Sequence, residues 1–94
     1  MPFQYSVGHA FVTRSIRAHA PATSGVYGIS NGRQWLLIGS SDNIQATLLE
    51  YSAGHYPALS EHQPKGFNFE VCYPGECGTR QLRLIQEYRP VCNG

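Results

Sequence analysis

Positive charge is scarce and nearly all of it is arginine. One lysine, Lys65, stands beside six arginines and against six acidic residues, for a formal net charge of +1. That excludes the broad basic field that drives nonspecific nucleic-acid binding, so any such contact has to come from a local cluster. Cysteine is sparse and odd in number. Cys72, Cys77 and Cys92 make no dense framework, which predicts free thiols in a reducing compartment, with one disulfide left open, rather than a stapled secreted fold. No apolar run approaches the roughly 20 residues that cross a bilayer, and the opening MPFQYSVGHAF lacks the basic-then-apolar order of a secretory leader. The expectation is a cytoplasmic chain with no membrane partner. Repeats and low-complexity tracts are missing as well, so the chain reads as one succession of short elements.

What is present is an ordinary globular composition over 94 residues, the size of a single domain (1–94) with one modest core. Phe11 to His19 is a candidate helix, in which Phe11, Ser15 and Ala18, or Val12, Ile16 and His19, share a face before Pro21 ends it. Gly25 to Ile29 and Gln34 to Ile38 are short β-branched and aromatic runs around Asn31-Gly32, a strong hairpin signal. Ser40-Ser41-Asp42 offers capping side chains, with Gln45 to answer Asp42, for a helix to Tyr51 that carries Ile44, Leu48 and Tyr51 on one face. Ser52 to Lys65, with Gly54, Pro57 and Pro64, predicts a loop with at most one helical turn. Phe67, Phe69 and Val71 alternate with polar neighbours, the period of a strand with one buried face. Pro74-Gly75 breaks it, and Thr79 caps a last helix with Gln81, Ile85 and Tyr88 on one face, stopped by Pro90. The predicted class is α/β (α+β): a small three-stranded, mostly antiparallel sheet flanked by helices.

Gly25-Val26-Tyr27, then Leu37-Ile38-Gly39, then Ser40 to Ile44, followed by Ile85, Pro90 and Asn93 at the spacing of a closing helix, resemble the signature of the GIY-YIG nuclease superfamily. The resemblance covers roughly Ser24 to Asn93. It implies metal-assisted phosphodiester cleavage, in which a glutamate on the last helix holds one divalent ion while tyrosines and an arginine surround the phosphate. A hard cation such as Mg²⁺ prefers anionic oxygens, and a guanidinium stabilises charge growing on phosphate oxygens.

Carried over position by position, the resemblance keeps Gly25, Gly39, Asn43 and Asn93, and it keeps the first tyrosine as the catalytic candidate Tyr27. The second tyrosine position is Leu37. The arginine position is Thr47, the histidine one turn later is Tyr51, and the glutamate position is Gln81, an amide with an oxygen but no charge. A degenerate member is therefore expected: a small binding or interaction module, with DNA or RNA as the candidate partner, no metal site and no cofactor. One alternative is a Mg²⁺- or Mn²⁺-dependent nuclease with a relocated acid, for which Glu70, Glu76 and Glu87 are the nearest candidates. Another is a structural or homo-oligomeric protein that meets no nucleic acid; nothing in the sequence sets the oligomeric state.

Arg33, Arg80 and Arg83 are the candidates for a cationic rim around the cleft, and Tyr56 and Tyr73 for stacking on bases. Cys72, Cys77, His55 and His62 are nominal zinc ligands whose spacing matches no strong pattern. The hairpin leaves two registers open. A two-residue Asn31-Gly32 turn sets Tyr27 opposite Leu36, whereas the family's geometry implies Tyr27 opposite Leu37.

Overall fold

The computed structural model of the chain describes residues 8–93. Residues 1–7 of the opening stretch read above for a leader lie outside them. The elements run β1 (His9–Ala10), α1 (Thr13–His19), β2 (Gly25–Ser30), β3 (Trp35–Ser41), α2 (Ile44–Ser52), α3 (Pro57–Glu61), β4 (Gly66–Val71) and α4 (Pro74–Tyr88). The sheet has four strands in the order β1-β4-β2-β3, every pair antiparallel, rather than the expected three. The added strand is β1, which pairs His9 with Phe67 and Ala10 with Gly66. Two residues are too short to show a period of two, so the sequence carries no signal for it.

Strand β2 lies between β4 and β3 and is covered on both faces, which is why Gly25 to Ile29 are buried in succession. On one face Tyr27, Ile29, Leu36 and Phe67 meet Ile16, Ile44, Leu48 and Leu59 from the first three helices. On the other face Val26 and Ile38 meet Cys77 and Leu84 of α4, with Trp35, Ile85 and Tyr88 beside them. The molecule is thus an α/β sandwich, three helices on one side of the sheet and α4 on the other.

Several boundaries move for identifiable reasons. Helix α2 is capped by Asn43, whose Oδ1 accepts from Ala46 N at 3.0 Å, and not by Asp42. Gln45 instead donates to the carbonyls of Ala20, at 3.0 Å, and Arg17, at 3.4 Å, tying α2 to the end of α1. Helix α4 begins at Pro74, so Thr79 lies inside it; proline at the first helical position has φ already set and no N–H to waste. Strand β4 does not have one buried face: Val71 is 56% exposed at its end, while Asn68 and Glu70 are 8% exposed beneath α4.

The hairpin follows neither expected register. Asn31 Oδ1 accepts from the N–H groups of Arg33 and Gln34, both at 3.0 Å, and Asn31 N donates to the Gln34 carbonyl at 3.2 Å, while Gly32 takes φ +88°. The side chain of Asn31 therefore closes a loop over 31–34 instead of a two-residue turn. Tyr27 pairs with Gly39, Ile29 with Leu37 and Ser30 with Trp35, which leaves Leu36 as a bulge. The bulge lets Leu36 and Leu37 both pack against the helix α1–α3 side.

After α4 the backbone turns at Arg89, in the left-handed region at φ 49°. Residues 91–93 then follow the outer side of β3. Val91 N donates to Trp35 O at 3.1 Å and Cys92 N to Leu36 O at 2.6 Å. The Asn93 amide bonds both Ile38 N and Ile38 O at 2.8 Å.

Candidate functional site

Tyr27 rises from the middle of β2 over its cross-strand partner Gly39. Only glycine leaves room there: a Cβ on residue 39 would lie 2.7 Å from Tyr27 Cζ. The ring is 4% exposed, and its hydroxyl donates to Tyr51 Oη at 3.3 Å. Tyr51 comes from α2 and reaches on to Tyr56, the rings tilted against one another with centroids 5.9 Å apart for Tyr27 and Tyr51 and 4.4 Å for Tyr51 and Tyr56. Burial pushes the Tyr27 phenol well above the ordinary tyrosine range, and the Tyr51 hydrogen bond adds to the effect. The hydroxyl is a neutral hydrogen-bond donor there.

Farther along β3, Ser40 and Ser41 point to opposite faces of the sheet. Ser40 Oγ donates to Gln81 Oε1 at 2.7 Å on the α4 side. Ser41 Oγ lies 2.6 Å from Thr47 Oγ1 on the α2 side and also accepts from Asn43 N at 2.9 Å. Leu37 packs in the apolar core on the Tyr27 side. The end of β3 thus carries pairs of neutral hydroxyl and amide groups, Ser40 with Gln81 and Ser41 with Thr47, and the Tyr27–Tyr51 pair lies on the same sheet face as the second. Sequence reasoning identified Gln81, Thr47, Tyr27 and Tyr51 as motif positions but missed the pairing of Ser40 and Ser41 with the first two, because the serines read only as caps and as part of the motif run.

Beside Ser40 and Ser41 is a depression of 220 Å³, lined also by Asp42, Pro74, Cys77 and Gly78. Asp42 is the carboxylate at that place, and the sequence offers it as a cap and as part of the motif run, not as a relocated acid. The remaining motif positions are structural neighbours: Gly25 pairs with Ser41 and Val71, Asn43 caps α2, and Asn93 is bound to Ile38.

The three candidate arginines are not gathered. Arg80 makes a two-pronged ion pair with Glu70, Nε to Oε2 at 2.6 Å and Nη2 to Oε1 at 2.9 Å. That hydrogen bonding raises the Arg80 pKa further, and both side chains are largely buried. Arg83 is exposed on α4 and shares with Arg80, Glu70, Cys72, Glu76 and Thr79 a cleft of 350 Å³. Arg33 sits at the hairpin tip, the other end of β3 from Ser40 and Ser41. Tyr73 is 79% exposed at the start of α4, and Tyr56 is 46% exposed beyond Tyr51. The Cys72 thiol is pushed up to about 12 by burial, by its hydrogen bond with Cys77 and by the nearby Glu70 and Glu76. All three cysteines are free thiols. Among the described residues no three His, Cys, Asp or Glu side chains group as a metal site, and no helix is long and apolar enough to cross a membrane.

No protein-family model matches this chain, and no curated protein matches it by sequence. Solved structures do. The chain is similar to the GIY-YIG N-terminal endonuclease domain of UvrC from Thermotoga maritima bound to its catalytic divalent cation, magnesium, with a TM-score of 0.70 and 24% identity over 84% of this chain and 96% of that one. A tyrosine-to-phenylalanine point mutant of the same domain matches with a TM-score of 0.70 and 24% identity over the same shares, 84% and 96%. An asparagine-to-alanine mutant matches with a TM-score of 0.70 and 23% identity, over 84% of this chain and 94% of that one. At this identity the likeness is one of fold, and the chain has the GIY-YIG nuclease fold.

Proposed function

We propose that this chain is a GIY-YIG-fold binding module for nucleic acid that does not cleave phosphodiesters. The observation that carries the reading is the chemistry at the end of β3. Ser40 with Gln81, Ser41 with Thr47 and Tyr27 with Tyr51 are uncharged groups already hydrogen-bonded to one another. Cleavage of the kind the resemblance implies needs a fixed positive charge at the phosphate and an anionic oxygen for the metal. Neutral hydroxyls and one amide do not fit a Mg²⁺ ion as they are arranged, because a hard dication is held through carboxylates. Removing one preorganised charge-stabilising group costs on the order of 10²–10³ in rate. Nucleic acid is the proposed partner because the matched domain is an endonuclease domain and most exposed cations here are arginines suited to phosphate.

The purified chain is incubated with single- and double-stranded DNA, RNA and branched substrates in Mg²⁺ or Mn²⁺. The expected result is no cleavage, together with binding that weakens as salt rises, since neutralised phosphates release counterions. Metal-dependent cleavage abolished by Tyr27→Phe overturns the reading.

A second reading rests on Asp42, the carboxylate lining the depression beside Ser40 and Ser41. There the chain is a divalent-metal-dependent nuclease with its acid moved from the last helix to the start of α2. Cleavage lost in Asp42→Asn, with folding unchanged, supports it over the first.

A further inference from the structure

Away from the candidate site, the hairpin tip meets the loop after α3. Asn31 Nδ2 donates to the His62 carbonyl at 3.1 Å, and Lys65 N donates to Ser30 O at 2.8 Å. Lys65 O in turn accepts from Phe11 N at 2.8 Å. With the two bonds that Asn31 Oδ1 accepts from Arg33 and Gln34, these fix both loops as the arms of a fork. Between the arms lies a depression of 250 Å³ lined by Asn31, Arg33, His62, Gln63 and Lys65. Every one of these side chains bears N–H groups and none is a carboxylate. Arg33, His62 and Lys65 are exposed, and among the described residues no ion pair reaches them. Lys65 is the chain's single lysine. Gln63, left-handed at φ 54°, is the residue at which the chain turns out of α3.

We propose that this fork binds a phosphate group. A guanidinium offers two parallel N–H donors to phosphate oxygens, a lysine adds a point charge, and the two amides supply neutral donors. The arms are held by backbone and Asn31 hydrogen bonds, so the donors are positioned before the ligand arrives and little ordering accompanies binding. The phosphate belongs to a nucleic-acid backbone or to a free phosphate species; the donor set recognises either.

The isotopically labelled full chain is titrated, while backbone amide signals are followed by NMR, with inorganic phosphate and with single- and double-stranded oligonucleotides. Shifts are expected at 31–34 and 62–65. In the Arg33→Gln, Lys65→Gln double variant, whose replaced side chains are exposed, those shifts are lost. Duplex affinity falls about tenfold or more, and the salt slope drops by about one for each removed contact. Tighter binding of oligonucleotide than of inorganic phosphate assigns the fork to nucleic acid, and equal binding assigns it to free phosphate species. Absence of tip shifts with every probe, or tip shifts unaltered in the double variant, overturns the proposal. Oligonucleotide binding that shifts only Ser40, Ser41 and Gln81 also overturns it while leaving the binding-module reading in place. Tip shifts with inorganic phosphate and no oligonucleotide binding do the reverse.

Discussion

A methyl group on Gly39 has nowhere to go while Tyr27 keeps its place. Built on the backbone, it would press on Tyr27 Oη and lie 2.7 Å from Cζ and 3.2 Å from Cε2. The ring has little freedom to retreat, being 4% exposed and bonded at its far end to Tyr51. Overpacking of this kind costs about 1–3 kcal/mol. Alanine recovers roughly 0.5–1 kcal/mol over glycine in a strand through the smaller freedom of the unfolded chain. Gly39→Ala is therefore expected to destabilise by up to about 2.5 kcal/mol, which at about 4–8 °C per kcal/mol lowers Tm by up to roughly 20 °C for a domain of this size. Thermal unfolding followed by circular dichroism measures it, in a cycle with Tyr27→Phe. Phenylalanine removes the nearest clashing atom, so the Gly39→Ala penalty should shrink in that background by about 0.5 kcal/mol or more. Gly78→Ala serves as the contrast: nothing lies within 4 Å of a Cβ there, and the helix gains up to about 1 kcal/mol. Additivity of Gly39→Ala with Tyr27→Phe would refute the packing of the ring against the glycine.

Other outcomes follow from the same structure. Arg80→Met leaves the Glu70 carboxylate, 10% exposed, without its two-pronged partner; denaturant titration should register a loss of about 3 kcal/mol, part of it regained on adding Glu70→Gln. Asn93→Ala removes both side-chain bonds to Ile38 and should cost about 1–2 kcal/mol, with hydrogen exchange at Ile38 N accelerating before that of β2. In a difference titration of the wild type against Tyr27→Phe, the Tyr27 phenol should ionise well above pH 10, the value of a free tyrosine. Because its folded pKa is raised above the unfolded value, its contribution to stability is complete below about pH 10 and lost as pH rises from there. Tyr27→Phe should flatten that alkaline decline, and ionisation of the Tyr27 phenol near pH 10 in folded protein would contradict it.

The elements with sustained hydrophobic patterning, β2, β3, α2 and the body of α4, were legible because their apolar residues recur at the spacing of a buried face. The places where the reading slipped share a cause: one side chain or one backbone preference decided the local geometry. Asn31 bonds forward to two N–H groups and lengthens the hairpin loop, which moves Tyr27 from Leu36 or Leu37 to Gly39. Pro74 looks like a breaker and acts as the first residue of α4. At the site, Tyr27, Thr47 and Gln81 were identifiable as positions, but their bonds to Tyr51, Ser41 and Ser40 cross between elements and leave no periodic trace. Arg80 and Glu70 likewise meet ten residues apart across the turn from β4 into α4. Arg33 appeared with them as one rim because a linear sequence does not say which end of a strand a hairpin tip occupies.

Strand β3 lies at the margin of the sheet, where unsatisfied N–H and C=O groups form a template for another chain's strand. Val91, Cys92 and the Asn93 amide take up Trp35 O, Leu36 O and both polar groups of Ile38. Among the described residues the opposite margin begins with the short strand His9–Ala10. At the β3 margin, resistance to sheet-to-sheet polymerisation, as distinct from folding, therefore rests on the residues that follow α4. A change there would be felt first as self-association between molecules rather than as unfolding within one.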